Sequence, residues 1–239
     1  MFSKNDEDLR ELDDDLIITQ DQCEVCAVHM DDVKETLKNS LGYEPTILSF
    51  HPKNLNEVFD NIRVIAAHIG REEKANEWIE EMQERIDLIK HKVKFVKHRP
   101  NIALIEWIDP LMIAGHWTPG LLDIAGGTAI LSKAEQKSTY INIDELIEAS
   151  PDGIIIAACG FNLQKAIEEY KLLEKQEAWM NLKAVQKGQV FICDGNAFFN
   201  RPGPRLVETT EMLAEILQMN QFYYGMEGES WVQMEVKNE

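Results

Sequence analysis

The chain has 239 residues, 44% of them hydrophobic, enough for ordinary buried cores in one large domain or two small ones. Lysine and arginine number 24 against 42 aspartates and glutamates, so the formal net charge is -18. Such a charge repels phosphate backbones and anionic lipid and argues against nucleic acid as a partner. Four cysteines are too few for a disulfide framework, and only Cys23 and Cys26 stand close in sequence, which favours a reducing compartment.

The first residues, MFSKNDEDLRELDDDLIITQ, show no basic n-region, no apolar h-region and no small-residue cleavage site, so as written the chain is expected to be cytoplasmic. No apolar run approaches the roughly 20 residues that span a bilayer, and membrane insertion is not expected. The run LIIT, 16–19, predicts a buried parallel strand. Residues 28–41 carry Val28, Val33, Leu37 and Leu41 at helical spacing, with Gly42 placed to end a helix. TILSF, 46–50, predicts a second strand, and 54–69 a second helix closed by Gly70. This β-α-β-α alternation is that of an α/β layer.

Residues 71–97 contain no glycine or proline, and Trp78, Ile79, Met82, Ile86, Ile89 and Val93 form a narrow apolar stripe. One helix of about 25 residues would reach roughly 38 Å. A helix so long and so polar on one side predicts a strut joining two lobes. Beyond it the alternation restarts. Strands are expected at 102–106, 129–131, 153–158 and 190–193, and helices at 121–125, 142–149, 162–174, 177–187 and 204–218, the last with Pro204 near its first position. The fold class is therefore α/β, two α/β lobes joined by one long helix. Residues 1–70 form a partial N-terminal lobe, 71–98 the connecting helix, 99–218 the C-terminal lobe, and 219–239 an acidic tail expected to pack loosely.

Three places carry candidate chemistry. EWIDPLMIAGHWTPGLLDIAGG, 106–127, sets Trp107, His116 and Trp117 on a turn rich in proline and glycine, a shaped surface suited to a flat, partly polar ligand. Packing between lobes is the alternative for the tryptophans, and an ordinary loop histidine for His116. Asn196, Phe199, Arg201 and Arg205 belong to a strand-to-helix loop on the same sheet edge and make a ligand rim. Alternatively, the arginines neutralise local carboxylates. Cys23, Cys26 and His29 follow the first strand, where open α/β sheets place ligands. Two thiols at that spacing serve redox or metal chemistry, or are simply structural, and no second C-x-x-C or H-x-x-x-H completes a zinc set. No G-x-S-x-G, H-E-x-x-H, P-loop or G-x-G-x-x-G is present, so nothing names an enzymatic reaction.

Four segments, TQDQCEVCAV, EWIDPLMIAGHWTPGLLDIAGG, IDELIEASPDGIIIAACG and DGNAFFNRPGPRLVETTEML, resemble the cobalamin-binding substrate-binding proteins of ABC transporters, within the wider group that carries iron-siderophores and haem. The resemblance spans roughly residues 8–217. It implies two α/β lobes rigidly linked by one long helix, a corrinoid-like or iron-chelate ligand clamped between them, and an ABC transporter permease as partner. It implies contacts to cobalamin from Trp107, His116 and Trp117, with Phe199 and Arg201 from the last loop. The family's first strand and helix, of the type S-L-x-P-s-x-T-E, have no counterpart here, so the first lobe is expected to be incomplete, with the exposed edge covered by a homo-oligomer contact or a terminal segment. Were such a segment encoded upstream with a signal peptide, a periplasmic or cell-surface location would follow. The other reading is a cytosolic metal, redox or interaction protein that uses Cys23, Cys26 and His29 on the same scaffold.

Overall fold

The computed structural model describes residues 16–20 and 46–235. The predicted helix 28–41 and the cluster of Cys23, Cys26 and His29 lie outside the described residues. In the first lobe β1 (Leu16–Gln20) and β2 (Thr46–Phe50) pair in parallel, in register from Leu16 against Thr46 to Gln20 against Phe50. Next comes α1 (Leu55–Ile69), whose N-cap Asn54 accepts the Glu57 amide on its side-chain oxygen at 3.0 Å, and which ends at Gly70 as its sequence predicts.

The long helix is α2 (Glu72–Val93), 22 residues and about 33 Å at the usual rise. It stops short of Lys97 because the amides of Phe95 and Val96 bond back to the carbonyls of Lys92 and Val93, both at 3.1 Å, tightening the chain out of α geometry. Its buried stripe is Ala75, Ile79, Met82, Ile86, Ile89 and Val93. Trp78 does not belong to it: one position off the face, it stays exposed.

The second lobe is built on β3 (Asn101–Trp107), followed by β4 (Met112–Ile113), α3 (Thr118–Ile124), β5 (Thr128–Ala129), β6 (Thr139–Tyr140), α4 (Ile143–Ala149), β7 (Gly153–Ile156) and α5 (Leu163–Leu173). The expected helix 177–187 is broken into α6 (Glu177–Met180) and α7 (Lys183–Gln186), after which come β8 (Val190–Cys193), a π-helical turn (Gly195–Phe199), α8 (Leu206–Leu217) and β9 (Trp231–Gln233). The sheet runs β6-β4-β3-β7-β8-β9, with β5 also on β3. Parallel β3, β7 and β8 form its centre. Covered on both faces, they read as unbroken apolar runs, yet the pleat still sorts their side chains. Ile102, Leu104, Ile155 and Phe191 join the core beneath α2, α3 and α8, while Ala103, Ile105, Ile154 and Ile192 join the core beneath α4 and α5.

The strut reading describes how α2 packs. It meets α1 of the first lobe and α3 and α8 of the second, and one buried cluster passes from Leu55 and Val58 through Ile86 to Leu121 and Leu213. Arg85 on α2 forks onto Glu211 of α8, Nε to Oε1 at 2.8 Å and Nη2 to Oε2 at 2.6 Å. Glu211 is largely buried and holds the Arg85 pKa above its ordinary value.

Over its described part, 219–235, the acidic tail expected to pack loosely is corrected by the structure. Phe222 and Trp231 are buried, and β9 adds an antiparallel strand to β8. The reason is Glu215, a carboxylate only 3% exposed on α8. It accepts the backbone amides of Tyr224 and Gly225 at 2.9 Å, and those of Met226 and the Trp231 indole at 3.2 Å. A buried charge must be hydrogen-bonded, and here the chain after α8 folds around it to supply the donors.

Candidate ligand-binding site

The carboxyl ends of β3, β7 and β8 in the second lobe carry Trp107, Phe161, Asn196 and Arg201, on the edge where α/β sheets present ligands. Trp107 ends β3 and lies half-buried against Phe161, which follows β7, with ring centroids 5.4 Å apart and planes tilted 48°. The Trp107 indole N–H donates to the Asp109 carbonyl at 2.9 Å, which fixes the ring. Backbone bonds draw the β8 loop alongside: the Asn196 amide donates to the Phe161 carbonyl at 3.0 Å, and the Gly160 amide to Asn200 Oδ1 at 3.2 Å. The π-helical turn crosses the end of β7 so closely that a Cβ on Gly195 would fall 2.2 Å from the Ala158 carbonyl oxygen, so only glycine fits there. Arg201 donates to Asn196 Oδ1 at 3.1 Å and is exposed. Trp107, Phe161, Asn196 and Arg201 thus share one edge.

His116 stands on the neighbouring loop, with a φ of 53. Two backbone bonds hold that left-handed geometry, its amide to the Gln136 carbonyl at 2.6 Å and the Glu135 amide to its own carbonyl at 2.8 Å. Gly115 before it is pressed against the same segment, where a Cβ would sit 2.4 Å from the Gln136 carbonyl oxygen. The first lobe reaches this loop: Asn54 Nδ2 donates to Glu135 Oε1 at 2.9 Å. Burial, then the charges of His51 and Lys137, hold the His116 imidazole below its ordinary pKa. His51 follows β2 in the first lobe, near enough for its charge to act on His116. Beneath the loop, burial pushes the Glu106 carboxyl up, partly offset by a hydrogen bond from Ser138, whose Oγ also accepts the Gly115 amide at 3.0 Å.

Three candidates are engaged elsewhere. Trp117 is 7% exposed and packs into the core, where its indole N–H donates to the Phe199 carbonyl at 2.9 Å. Phe199 is buried in the same cluster. At the N-terminus of α3, Trp117 turns inward and pins the π-helical turn, so this pair shapes the site from behind. Arg205 lies over the half-buried Phe198 ring at 5.7 Å and 3.8 Å from Glu208, the local neutralisation its alternative reading describes. Phe161, His51 and Glu106 were not singled out from sequence. Phe161 was within reach of the carboxyl-edge rule, since it follows the run GIIIAAC, whereas His51 and Glu106 needed the fold.

A cavity of about 490 Å³ opens between the lobes, lined by Gln20 and Phe50 at the strand ends, Ile62 of α1, and Pro202, Gly203 and Pro204. None of the seven predicted contact residues lines it, although 202–204 belong to the predicted rim loop. Among the described residues no group of three or more His, Cys, Asp and Glu is placed to hold a metal ion, and no helix is long and apolar enough to cross a membrane.

Comparison with known proteins agrees with this architecture. The chain is 24% identical over 174 residues to the uncharacterized ABC transporter substrate-binding lipoprotein YvrC of Bacillus subtilis (strain 168), over 71% of this chain and 52% of that protein. It therefore spans about half the length of this curated relative. Among solved structures, an ABC transporter substrate-binding protein from Listeria monocytogenes EGD-e superposes with a TM-score of 0.74 at 20% identity, covering 90% of this chain and 81% of that one. The periplasmic vitamin B12 binding protein BtuF of Vibrio cholerae gives 0.68 at 20% identity, covering 92% and 80%. A periplasmic heme binding protein from Pseudomonas aeruginosa gives 0.73 at 16% identity, covering 92% and 77%. At these identities the structures share the fold. The family profile described as periplasmic binding protein matches residues 4–197, most of the sequence, and the chain belongs to that family.

Proposed function

We propose that this chain is the solute-binding component of an ABC-type uptake system, holding a bulky, flat ligand of the corrinoid, haem or iron-chelate class between its lobes and delivering it to a membrane permease. One observation carries the reading: Trp107 and Phe161 form a half-buried aromatic shelf at the carboxyl edge of the second lobe, beside the loop that the first lobe touches. Aromatic faces suit a planar macrocycle, and the exposed Arg201 guanidinium and Asn196 amide suit its polar rim. His116, kept largely neutral, is a hydrogen-bond partner for such a ligand and a candidate donor to its metal. Names borne by proteins of the same fold, for vitamin B12 and haem, supply the panel to try first, with cobalamin at its head. This function places the protein on the outer side of the cytoplasmic membrane.

The test is a titration with cyanocobalamin, haemin and a ferric siderophore, followed by ligand absorbance and tryptophan emission. At least one of the three should shift its absorbance and quench emission, and Trp107→Phe should reduce the quench, since the closest indole is gone. If all three leave both signals unchanged, the ligand class is wrong.

A further inference from the structure

Charge is unevenly spread over this acidic chain. Residues 88–105 contain no aspartate or glutamate, while Lys90, Lys92, Lys94, Lys97 and Arg99 fall within ten residues, with His91 and His98 among them. The segment runs from the last turn of α2 to the start of β3, so it lies at the amino edge of the sheet, opposite the edge that carries Trp107. Cations in the last turn of a helix answer its dipole, and part of this charge is used locally. Lys90 pairs with Asp87 at 3.1 Å and Arg99 with Asp123 at 2.6 Å. Lys92 instead turns its ammonium over the Phe222 ring at 4.9 Å and toward the Gln221 carbonyl. Lys94 and Lys97 are exposed, and neither forms an ion pair among the described residues.

The dipole explains lysines but not a phenyl ring standing in water between them. Phe95 is 71% exposed, and among the described residues the ring it meets is that of His91, edge-on at 5.6 Å. Tyr223, 88% exposed, projects from the adjoining turn that Lys92 holds. Aromatic rings with lysines on either side are the composition of segments that lie at a bilayer interface, rings at the headgroup level and flexible ammonium groups on phosphates.

The structure assigns this face to the headgroup region of an anionic phospholipid bilayer, with Lys94 and Lys97 on lipid phosphates and Phe95 seated between them. The net charge of -18 opposes long-range approach. Charges more than about 8 Å from the contact are largely screened at physiological salt, however, so at contact the local run decides. A fluid interface fits this face better than a protein partner, because one protruding ring between two flexible cations needs no complementary groove. So seated, the molecule keeps its cleft edge turned to solution, free to load, and it must leave this contact before delivery to a permease. The inference stands apart from the ligand reading, since no cleft residue takes part.

Flotation of the full chain with vesicles of phosphatidylcholine alone, and of equal parts phosphatidylcholine and phosphatidylglycerol, tests it. The protein should float with the anionic vesicles only and be released by salt. The double variant Lys94→Gln/Lys97→Gln should bind roughly 30-fold more weakly, from the usual contribution of each lysine near such a surface. Phe95→Ser should weaken binding several-fold with the salt dependence kept. All these positions are exposed, so thermal midpoints should be unchanged. Equal binding to both vesicle types, no binding by the wild type, or variants that bind as it does would overturn the proposal. So would a concentration-dependent dimer in sedimentation that the double variant abolishes without any vesicle binding, which would assign the face to a second copy of the chain.

Discussion

Trp107 meets its surroundings through one ring contact and one local hydrogen bond, while Trp117 is enclosed and bonded across 82 residues to Phe199. Trp117→Ala should therefore cost about 3–5 kcal/mol in denaturant unfolding, the range for emptying a large core site. Trp107→Ala should cost about 1 kcal/mol or less and show its effect in ligand affinity. The reverse order would mean that the roles have been exchanged.

Glu106 and His116 are both held toward their neutral forms, and their signs differ. His116 binds its proton less readily in the fold than in the unfolded chain, so stability rises with pH through the window below its ordinary 6.5. Glu106 keeps its proton to higher pH in the fold, so stability falls as pH rises through the window above its ordinary 4.5. Thermal midpoints followed from about pH 5 to about pH 8 should show His116→Gln flattening the acid-side loss, and Glu106→Gln raising stability at neutral pH. Unchanged profiles in both variants would remove these groups from the account. Nothing near them in sequence shows this: Glu106 looks like any carboxylate at the end of a strand until the fold buries it against Ser138.

At the scale of elements, what was legible followed burial symmetry. β3, β7 and β8 are covered on both faces and appear as plain apolar runs, and α2 shows a stripe of helical period. The two-residue strands β4 and β6 are too short for any period to register, and the broken helix at α6 and α7 carries no glycine or proline between its halves to announce the break. β9 was missed for a different reason. Its place depends on Glu215, which in sequence is one acid among many on an acidic chain. Glu215→Ala would leave three backbone amides and an indole N–H without their acceptor, and should cost on the order of 3 kcal/mol while freeing the chain beyond α8. Hydrogen exchange at Tyr224, Gly225 and Met226 reads this directly, and protection that survives the substitution would contradict it.

For the molecule as a whole, the two-lobe plan was written in the sequence by the strut, but the meeting of the lobes was not. Asn54 and Glu135 lie 81 positions apart, and no local pattern pairs them. The same holds for the approach of His51 to His116 and, within the second lobe, for Trp107 against Phe161. A clamp of this kind works only if both halves touch the guest, which makes the account's main claim open to a two-sided test. The measurement is equilibrium affinity for whichever corrinoid, haem or iron chelate binds, compared among wild type, Trp107→Ala from the second lobe and His51→Ala from the first. Roughly tenfold weakening is expected from the tryptophan, the scale of a lost aromatic contact, and a measurable loss from the histidine, with both variants folded. Full affinity in either variant would contradict a ligand held between the lobes.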